Sequence, residues 1–400
     1  MKFKLLGLGA CGNKIAISCI EAGVVPEEDV ALINSTLKDI PYDYRENLGI
    51  RLSDQFLGSG QERKLAKDMT LEAIKNGRLN LETLIGPEYD KVIIITSTCG
   101  GTGSGSSVII AKYIKEVLNV DVELIGMVGF EDESSRALRN LIEFCQDLQD
   151  NYTIQLIRNG AFLSGARGNR SAAELAANEE VINRIRVMNG SLLQDCEQNI
   201  DDTDIRKLNN TTGYKTVEFK LINDKIKNSS QFDDILREIM DDSPIIDTDR
   251  SGVGLLGVIM NLQPSSQAVV DRGYKVLKER LGEPYEVYTH LEFIEALPQF
   301  IAIIASGMKM PEKEIENVFT KYSEMTKKVN TDKDSFFDNV RELKGSDETF
   351  MFDSFSHFTG RKNNEVARNN FFAEFEHKPI VKSEKSNNTN KGSKGNNNGF

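Results

Sequence analysis

Several things are scarce in these 400 residues, and each scarcity excludes something. Five cysteines, at 11, 19, 99, 145 and 196, form no CxxC pair, which argues against a zinc ribbon or a disulfide framework and for reduced thiols. Three scattered histidines offer no zinc-site spacing. No apolar run is long enough to span a bilayer. Met1-Lys-Phe-Lys-Leu-Leu6 enters a strand pattern directly, without the cleavage region of a signal peptide, so a cytoplasmic protein is expected. Positive charge is also short. The net charge is −12, which disfavours nucleic acid and anionic membrane as partners of the bulk surface. The last 23 residues differ: from Lys378 onward they hold five lysines against one glutamate, leaving about −16 on the first 377.

What is present is an alternation of strand and helix patterns through the first half. Strands are expected at Phe3–Leu6, Val30–Ile33, Lys91–Ile95, Val122–Val128 and Tyr152–Ile157. Helices are expected at Asn13–Ala22, Gln61–Gly77 and after Ser107. That order implies an α/β, doubly wound parallel sheet. A long helical pattern without proline, Ser171 to about Gln198, can connect two domains. Beyond it, strands near 216–222, 254–261, 285–290 and 300–306, with helices near 232–240 and 265–281, suggest a smaller α+β domain. The expected division is 1–170, a nucleotide domain; 171–198, a central helix; 199–310, a C-terminal domain; 311–345, a charged helix; 346–377, an extension; and 378–400, a basic Asn/Lys/Ser/Gly tail expected to be disordered.

Two glycine-rich turns each follow a strand and open a helix. They are Gly7-Leu-Gly-Ala-Cys-Gly-Asn13 and Thr96-Ser-Thr-Cys-Gly-Gly-Thr-Gly-Ser-Gly-Ser-Ser107. Without Cβ atoms, backbone N–H groups can converge on an anion at a helix N-terminus. Neither turn contains the GxxxxGK[ST] pattern, so phosphate would be held without a loop lysine, Mg2+ supplying positive charge. Gly7-x-Gly9-x-x-Gly12 also matches a dinucleotide fingerprint, the reading of a nicotinamide-dependent oxidoreductase. That reading wants an acidic residue at the end of the second strand, where Asn34-Ser-Thr36 stands. A plain tight turn is the blander alternative for either loop. Cys11 and Cys99 lie in these turns, where a helix N-terminus lowers thiol pKa. They are either acidified thiols or simply small residues in tight turns.

Cys99-Gly-Gly-Thr-Gly-Ser-Gly105 resembles the GGGTG[ST]G signature of the tubulin/FtsZ superfamily, with Cys99 in place of its first glycine. Ala10-Cys-Gly-Asn-Lys-Ile15 is similar to the QCGNQI segment of tubulin, and Leu57-Gly-Ser-Gly60 falls where the family has a further phosphate loop. The resemblance runs from residue 3 to about 310. It implies GTP/GDP and Mg2+ as cofactors. It also implies a nucleotide site from Gly9, Ala10, Cys11, Gly12, Asn13, Asn34, Gly58, Ser59, Gly60, Cys99, Gly100, Gly101, Thr102, Gly103, Ser104 and Gly105. The resemblance further implies Glu133 and Arg136 at the ribose and Asn159 and Asn178 at the guanine edge, where an amide can donate and accept. Glu174 occupies the place where the family has a base-stacking aromatic, and Thr36 a place where bacterial members often carry Asp.

Asn199, Asp201 and Asp204 fit the N-x-D-x-x-D of the family. The resemblance implies that this loop enters the nucleotide site of the next subunit, where its carboxylates orient the attacking water. On composition alone the run is an ordinary acidic helix start. A GTPase activated by head-to-tail self-assembly follows, most like the plasmid- and phage-encoded TubZ or PhuZ groups. The tail, unlike the terminal peptide of the division protein, suggests a DNA-binding adaptor as partner. An FtsZ-like division protein is the alternative within the family, and a nucleotide-binding relative without turnover a third reading.

Overall fold

The computed structural model describes residues 2–56, 58–148, 151–189, 202–223, 226, 228–246, 248, 252–262, 267–292, 298–330 and 364–376. Ten strands form one sheet: β1 (Phe3–Leu8), β2 (Val30–Asn34), β3 (Gly49–Arg51), β4 (Lys91–Ser97), β5 (Asp121–Val128), β6 (Thr153–Arg158), β7 (Gly213–Leu221), β8 (Leu255–Asn261), β9 (Glu286–Glu292) and β10 (Phe300–Met308). Their order is β3-β2-β1-β4-β5-β6-β7-β10-β8-β9. From β3 to β7 every pairing is parallel. β10 then runs antiparallel to both β7 and β8, and β9 pairs parallel to β8.

Twelve described helices accompany the sheet: α1 (Gly9–Glu21), α2 (Tyr42–Leu48), α3 (Arg63–Lys75), α4 (Leu81–Leu84), α5 (Thr102–Tyr113), α6 (Ser135–Leu148), α7 (Arg170–Met188), α8 (Asp202–Asn210), α9 (Ser229–Asp241), α10 (Gln267–Leu281), α11 (Glu312–Asn330) and α12 (Asn364–Glu376). The composition of the strands explains the layering. Leu5, Leu6 and Val92 to Ile95 are all fully buried, as expected of parallel strands covered on both faces. The edge strand β9 instead alternates, leaving Val287 and Leu291 over a third exposed. Among the described residues, β6 meets β7 through Thr153↔Gly213 and Ile154↔Tyr214, and an isolated bridge joins Ile157 to Ile245.

One boundary differs from the sequence pattern, one expected helix end lies outside the described residues, and one helix is additional. α1 begins at Gly9, not Asn13, because the glycine turn itself is the first helical turn. α7 is described to Met188, and positions 190–198 lie outside the described residues. α12 was not foreseen. It packs on the end of α5, with Phe371 buried and edge-on to Tyr113 at 5.0 Å, and Glu374 paired with Lys112.

A buried charge cluster ties the N-terminal edge of the sheet together. Glu123 of β5 meets Lys91 of β4 at 2.6 Å and Lys215 of β7 at 3.1 Å, all three fully buried. Gln155 donates to the other Glu123 oxygen. Lys215 Nζ also donates to Asn209 Oδ1 at 2.6 Å, while Asn209 Nδ2 donates to the Met188 carbonyl at 2.9 Å. The ends of α7 and α8 are thereby fixed to the sheet. Two cations share one carboxylate. Burial pushes the Lys215 ammonium down to about 8, despite the Glu123 charge that opposes it, and the two lysines hold Glu123 below the usual carboxylate range against its own burial.

Glu123→Gln leaves two buried cations without a counter-ion and is expected to cost about 3–5 kcal/mol in urea unfolding at pH 7. Lys215→Met keeps the Lys91–Glu123 pair and should cost far less. The folded-state Lys215 pKa lies below its unfolded value of 10.5, so its penalty is complete below pH 8 and relieved towards 10.5. Wild-type stability should therefore gain on Lys215→Met across that window. Equal losses for the two variants would contradict the charge count.

Candidate functional site

The carboxyl ends of β1, β2 and β4 open on one cleft of about 500 Å³. Its walls are Leu8 to Cys11, Asn34 to Thr36, Lys38, Asp39, Gly58, Ser59, Ser97 and Gly100 to Gly103. The two glycine turns interlock here. A Cβ on Gly12 would stand 2.0 Å from the Ile95 carbonyl oxygen, and one on Gly103 would stand 2.9 Å from the Leu8 carbonyl oxygen. Each helix start thus sits on the neighbouring strand's end. Gly9 has φ +71°, a left-handed conformation that glycine adopts without steric cost.

A hydroxyl chain lines the floor. Ser35 Oγ and Thr102 Oγ1 are 3.0 Å apart, and Thr102 Oγ1 donates to Ser59 Oγ at 3.1 Å. Asn34 accepts the Ser35 N–H at 2.9 Å through Oδ1 and donates Nδ2 to Asp39 at 3.1 Å. These groups present hydrogen-bonding atoms and little fixed charge, which suits a polar anion held by dipoles.

Of the expected nucleotide residues, the structure brings Gly9, Ala10, Cys11, Asn34, Gly58, Ser59, Gly100, Gly101, Thr102 and Gly103 into the cleft wall. Gly12 and Gly105 lie behind it as packing positions, Gly105 against the Arg63 carbonyl. Asn13 is fully buried at Gly7. Ser104 Oγ caps the Gly100 carbonyl. Cys99 is buried, its sulfur accepting the Gly129 N–H at 3.4 Å. Glu133 turns back on its own loop, to the Phe130 N–H, while Arg136 reaches the Gly60 carbonyl at 3.2 Å. Asn159 opens the turn after β6, with its Oδ1 buried and unpartnered. Asn178 lies one helical turn beyond the exposed Glu174 on α7, on the same face.

Asp204 lies in α8 at the other edge of the sheet. Its neighbour Arg206 pairs at 3.0 Å with Asp90, which immediately precedes β4. Asn199 and Asp201 lie outside the described residues.

Sequence reasoning missed the clamp around the second turn. Asn140 of α6 is buried and places its Nδ2 3.1 to 3.2 Å from the carbonyls of Gln61, Cys99 and Gly100. Arg63 is buried and donates to the Ser104 carbonyl at 3.1 Å, while pairing with Glu143 and Asp147. An isolated Asn or Arg in a helix carries no pattern that announces such a role. Ser35, Lys38, Asp39 and Ser97 of the wall were likewise not named as site residues.

The structure decides between the two readings of the thiols. Burial, with the Glu174 charge adding to it, pushes Cys11 up to about 12. Burial also raises Cys99, against the N–H that its sulfur accepts. Desolvation outweighs the helix ends, so these are small residues in tight turns and not poised nucleophiles.

A doubly wound sheet whose strand ends carry two interlocked glycine turns around a polar cleft is the architecture of a nucleotide-binding α/β protein. No family model matches the chain. Among curated proteins, the tubulin-like protein CetZ1 of Haloferax volcanii is 26% identical over 208 residues, 48% of this chain and 51% of that protein. The chain thus spans about half the length of the curated relatives it matches. Among solved structures, a GTPγS-bound protofilament of CetZ2 from Haloferax volcanii superposes with a TM-score of 0.68 at 17% identity, covering 82% of this chain and all of that one. A GTPγS-form protofilament of TubZ from Bacillus thuringiensis serovar israelensis gives 0.68 at 16% identity, covering 83% and 94%. At such identities the solved structures establish a shared fold. The sequence relatives and the shared fold are those of the tubulin/FtsZ superfamily, which the chain resembles in both respects.

Gly12→Ala should force α1 off β4 and cost about 1–3 kcal/mol in denaturant unfolding. A Cβ at Gly100 meets nothing closer than 3.9 Å, so Gly100→Val should leave stability within about 0.5 kcal/mol while filling the cleft. The reverse ranking would contradict the interlock. Iodoacetamide at pH 7.5 should label Cys11 and Cys99 of the native protein far more slowly than those of the urea-unfolded chain, and rapid native labelling of Cys11 would contradict its raised thiol pKa.

Proposed function

We propose that the chain is a GTP-dependent, self-assembling filament protein that hydrolyses GTP to GDP and phosphate at head-to-tail subunit contacts. The observation that carries this reading is the polar separation of its two half-sites. The cleft lies at the Ser97 end of β4, and Asp204 lies on the helix anchored at the Asp90 end. Seven residues of strand span about 23 Å, so no subunit can bring Asp204 to its own glycine turns. A second copy stacked head to tail can. Such a contact joins two different faces and does not close, so it propagates as a filament.

In this reading backbone N–H groups of Gly9–Cys11 and Gly100–Gly103 hold the phosphates at two helix N-termini. The amides of Asn159 and Asn178 read the guanine edge, and Asn199, Asp201 and Asp204 of the next subunit orient the attacking water. The donor set suits Mg2+, a hard cation usually bound through one or two carboxylates and the phosphates of its nucleotide. Asp39, with the hydroxyls of Ser35, Ser59 and Thr102, would hold it, and it would offset phosphate charge there. The protofilament neighbours from Haloferax volcanii and Bacillus thuringiensis support self-assembly. The basic, asparagine-rich tail supports filaments that position or segregate plasmid or phage DNA through an adaptor.

GTPase rate per molecule, measured against protein concentration with parallel pelleting, tests the reading. Specific activity should rise from near zero above a threshold. Asp204→Asn should still pellet with GTP but turn over roughly 10²- to 10⁴-fold more slowly. Flat specific activity without polymer would contradict the shared site.

A further inference from the structure

The glycine turns contain no lysine, yet the cleft does contain a cation. Lys38 stands on the turn after β2 and is the one positively charged side chain among the described residues that line the cleft. We propose that Lys38 binds the terminal phosphate of the nucleotide and makes the cleft prefer triphosphate over diphosphate. This rests on the guanine-nucleotide reading of the cleft.

Three observations carry the assignment. The first is that Lys38 is available. It is exposed, its own N–H donates to Thr36 Oγ1 at 3.3 Å, and it enters no ion pair among the described residues. The acid beside it, Asp39, is engaged by Asn34 at 3.1 Å.

The second is that no other cation lines that wall among the described residues, where Asp39 is the one acid. Ser35, Ser59 and Thr102 are joined hydroxyl to hydroxyl, and the turns offer backbone dipoles. A terminal phosphoryl group carries the most charge of the nucleotide, and one divalent cation beside these hydroxyls offsets only part of the charge of a triphosphate. An ammonium on a flexible four-carbon stem is suited to reach it as a point charge.

The third is direction along the sheet. Asn159 follows β6, and Lys38 follows β2. The strand order places four spacings between them, about 19 Å at roughly 4.8 Å each. A base read at Asn159 and Asn178 sends its phosphates over β4 and β1, where the glycine turns lie. Only the far end of an extended triphosphate continues to the turn after β2. A diphosphate is one phosphoryl group shorter and stops short of it. Lys38 thus performs from a neighbouring turn what the lysine of a GxxxxGK[ST] loop performs from within it.

Equilibrium binding of GTPγS and GDP to the full chain, held below its assembly threshold, tests this in wild type, Lys38→Gln and Lys38→Arg. Because Lys38 is exposed, melting temperatures should be unchanged. Lys38→Gln should weaken GTPγS roughly tenfold to hundredfold and GDP by less than about threefold on the same scale, with Lys38→Arg keeping most of the preference. If wild type binds both nucleotides and Lys38→Gln weakens neither, or both by the same factor, the role of Lys38 is overturned while the reading of the cleft stands. If wild type binds neither, the reading of the cleft falls and this inference with it.

Discussion

The structure depends on the mutual approach of two strand–helix turns. Gly12 at the start of α1 sits on the Ile95 carbonyl of β4, and Gly103 at the start of α5 sits against the Leu8 carbonyl of β1. No side chain fits in either place, so both positions are glycine for reasons of packing. The consequence reaches further than packing. Two helix N-termini, with unpaired N–H groups and positive dipole ends, are brought side by side at the carboxyl edge of adjacent parallel strands. Asn140 and Arg63 then hold the second turn from behind through its carbonyls, which leaves the turn's front face to the cleft.

The opposite edge of the sheet is built on charge instead of dipoles. Glu123, Lys91 and Lys215 are buried together there, and Asn209 links them to the last carbonyl of α7. α7 therefore runs between the two poles. Its first turns carry Glu174, close enough to act on the Cys11 thiol, and its end is tied to the helix that carries Asp204. A helix of 19 residues spans about 28 Å, enough to run the length of β4. The molecule thus has a glycine-turn face and an opposite face that carries Asp204, joined by one helix, a polarity that a head-to-tail contact would require.

Much of this was legible in the sequence because it is written in local patterns. Continuous apolar runs such as Val92–Ile95 marked the parallel strands, and Cys99–Gly105 marked the turn that most constrains the cleft. The antiparallel insertion of β10 between β7 and β8 was not legible, because strand order is decided by long-range pairing and not by any segment's pattern. The same holds for Asn140, Arg63 and Lys38, which matter through where the chain brings them. For the thiols the sequence left two readings open, because the local rule about helix ends does not say how much burial opposes it. α12 lay hidden because its short apolar cluster, Phe371, Phe372 and Phe375, makes sense only beside Tyr113.

The central claim is that one subunit supplies the cleft and another the acidic loop. Mixing two inactive variants tests it most directly. Gly100→Val should block the cleft and keep the loop, and Asp204→Asn should do the reverse. The account predicts that each alone hydrolyses GTP at background rate, while an equimolar mixture recovers a substantial fraction of wild-type turnover. That recovery comes from contacts in which an intact loop meets an intact cleft. A mixture that polymerises yet stays at background would contradict the shared site.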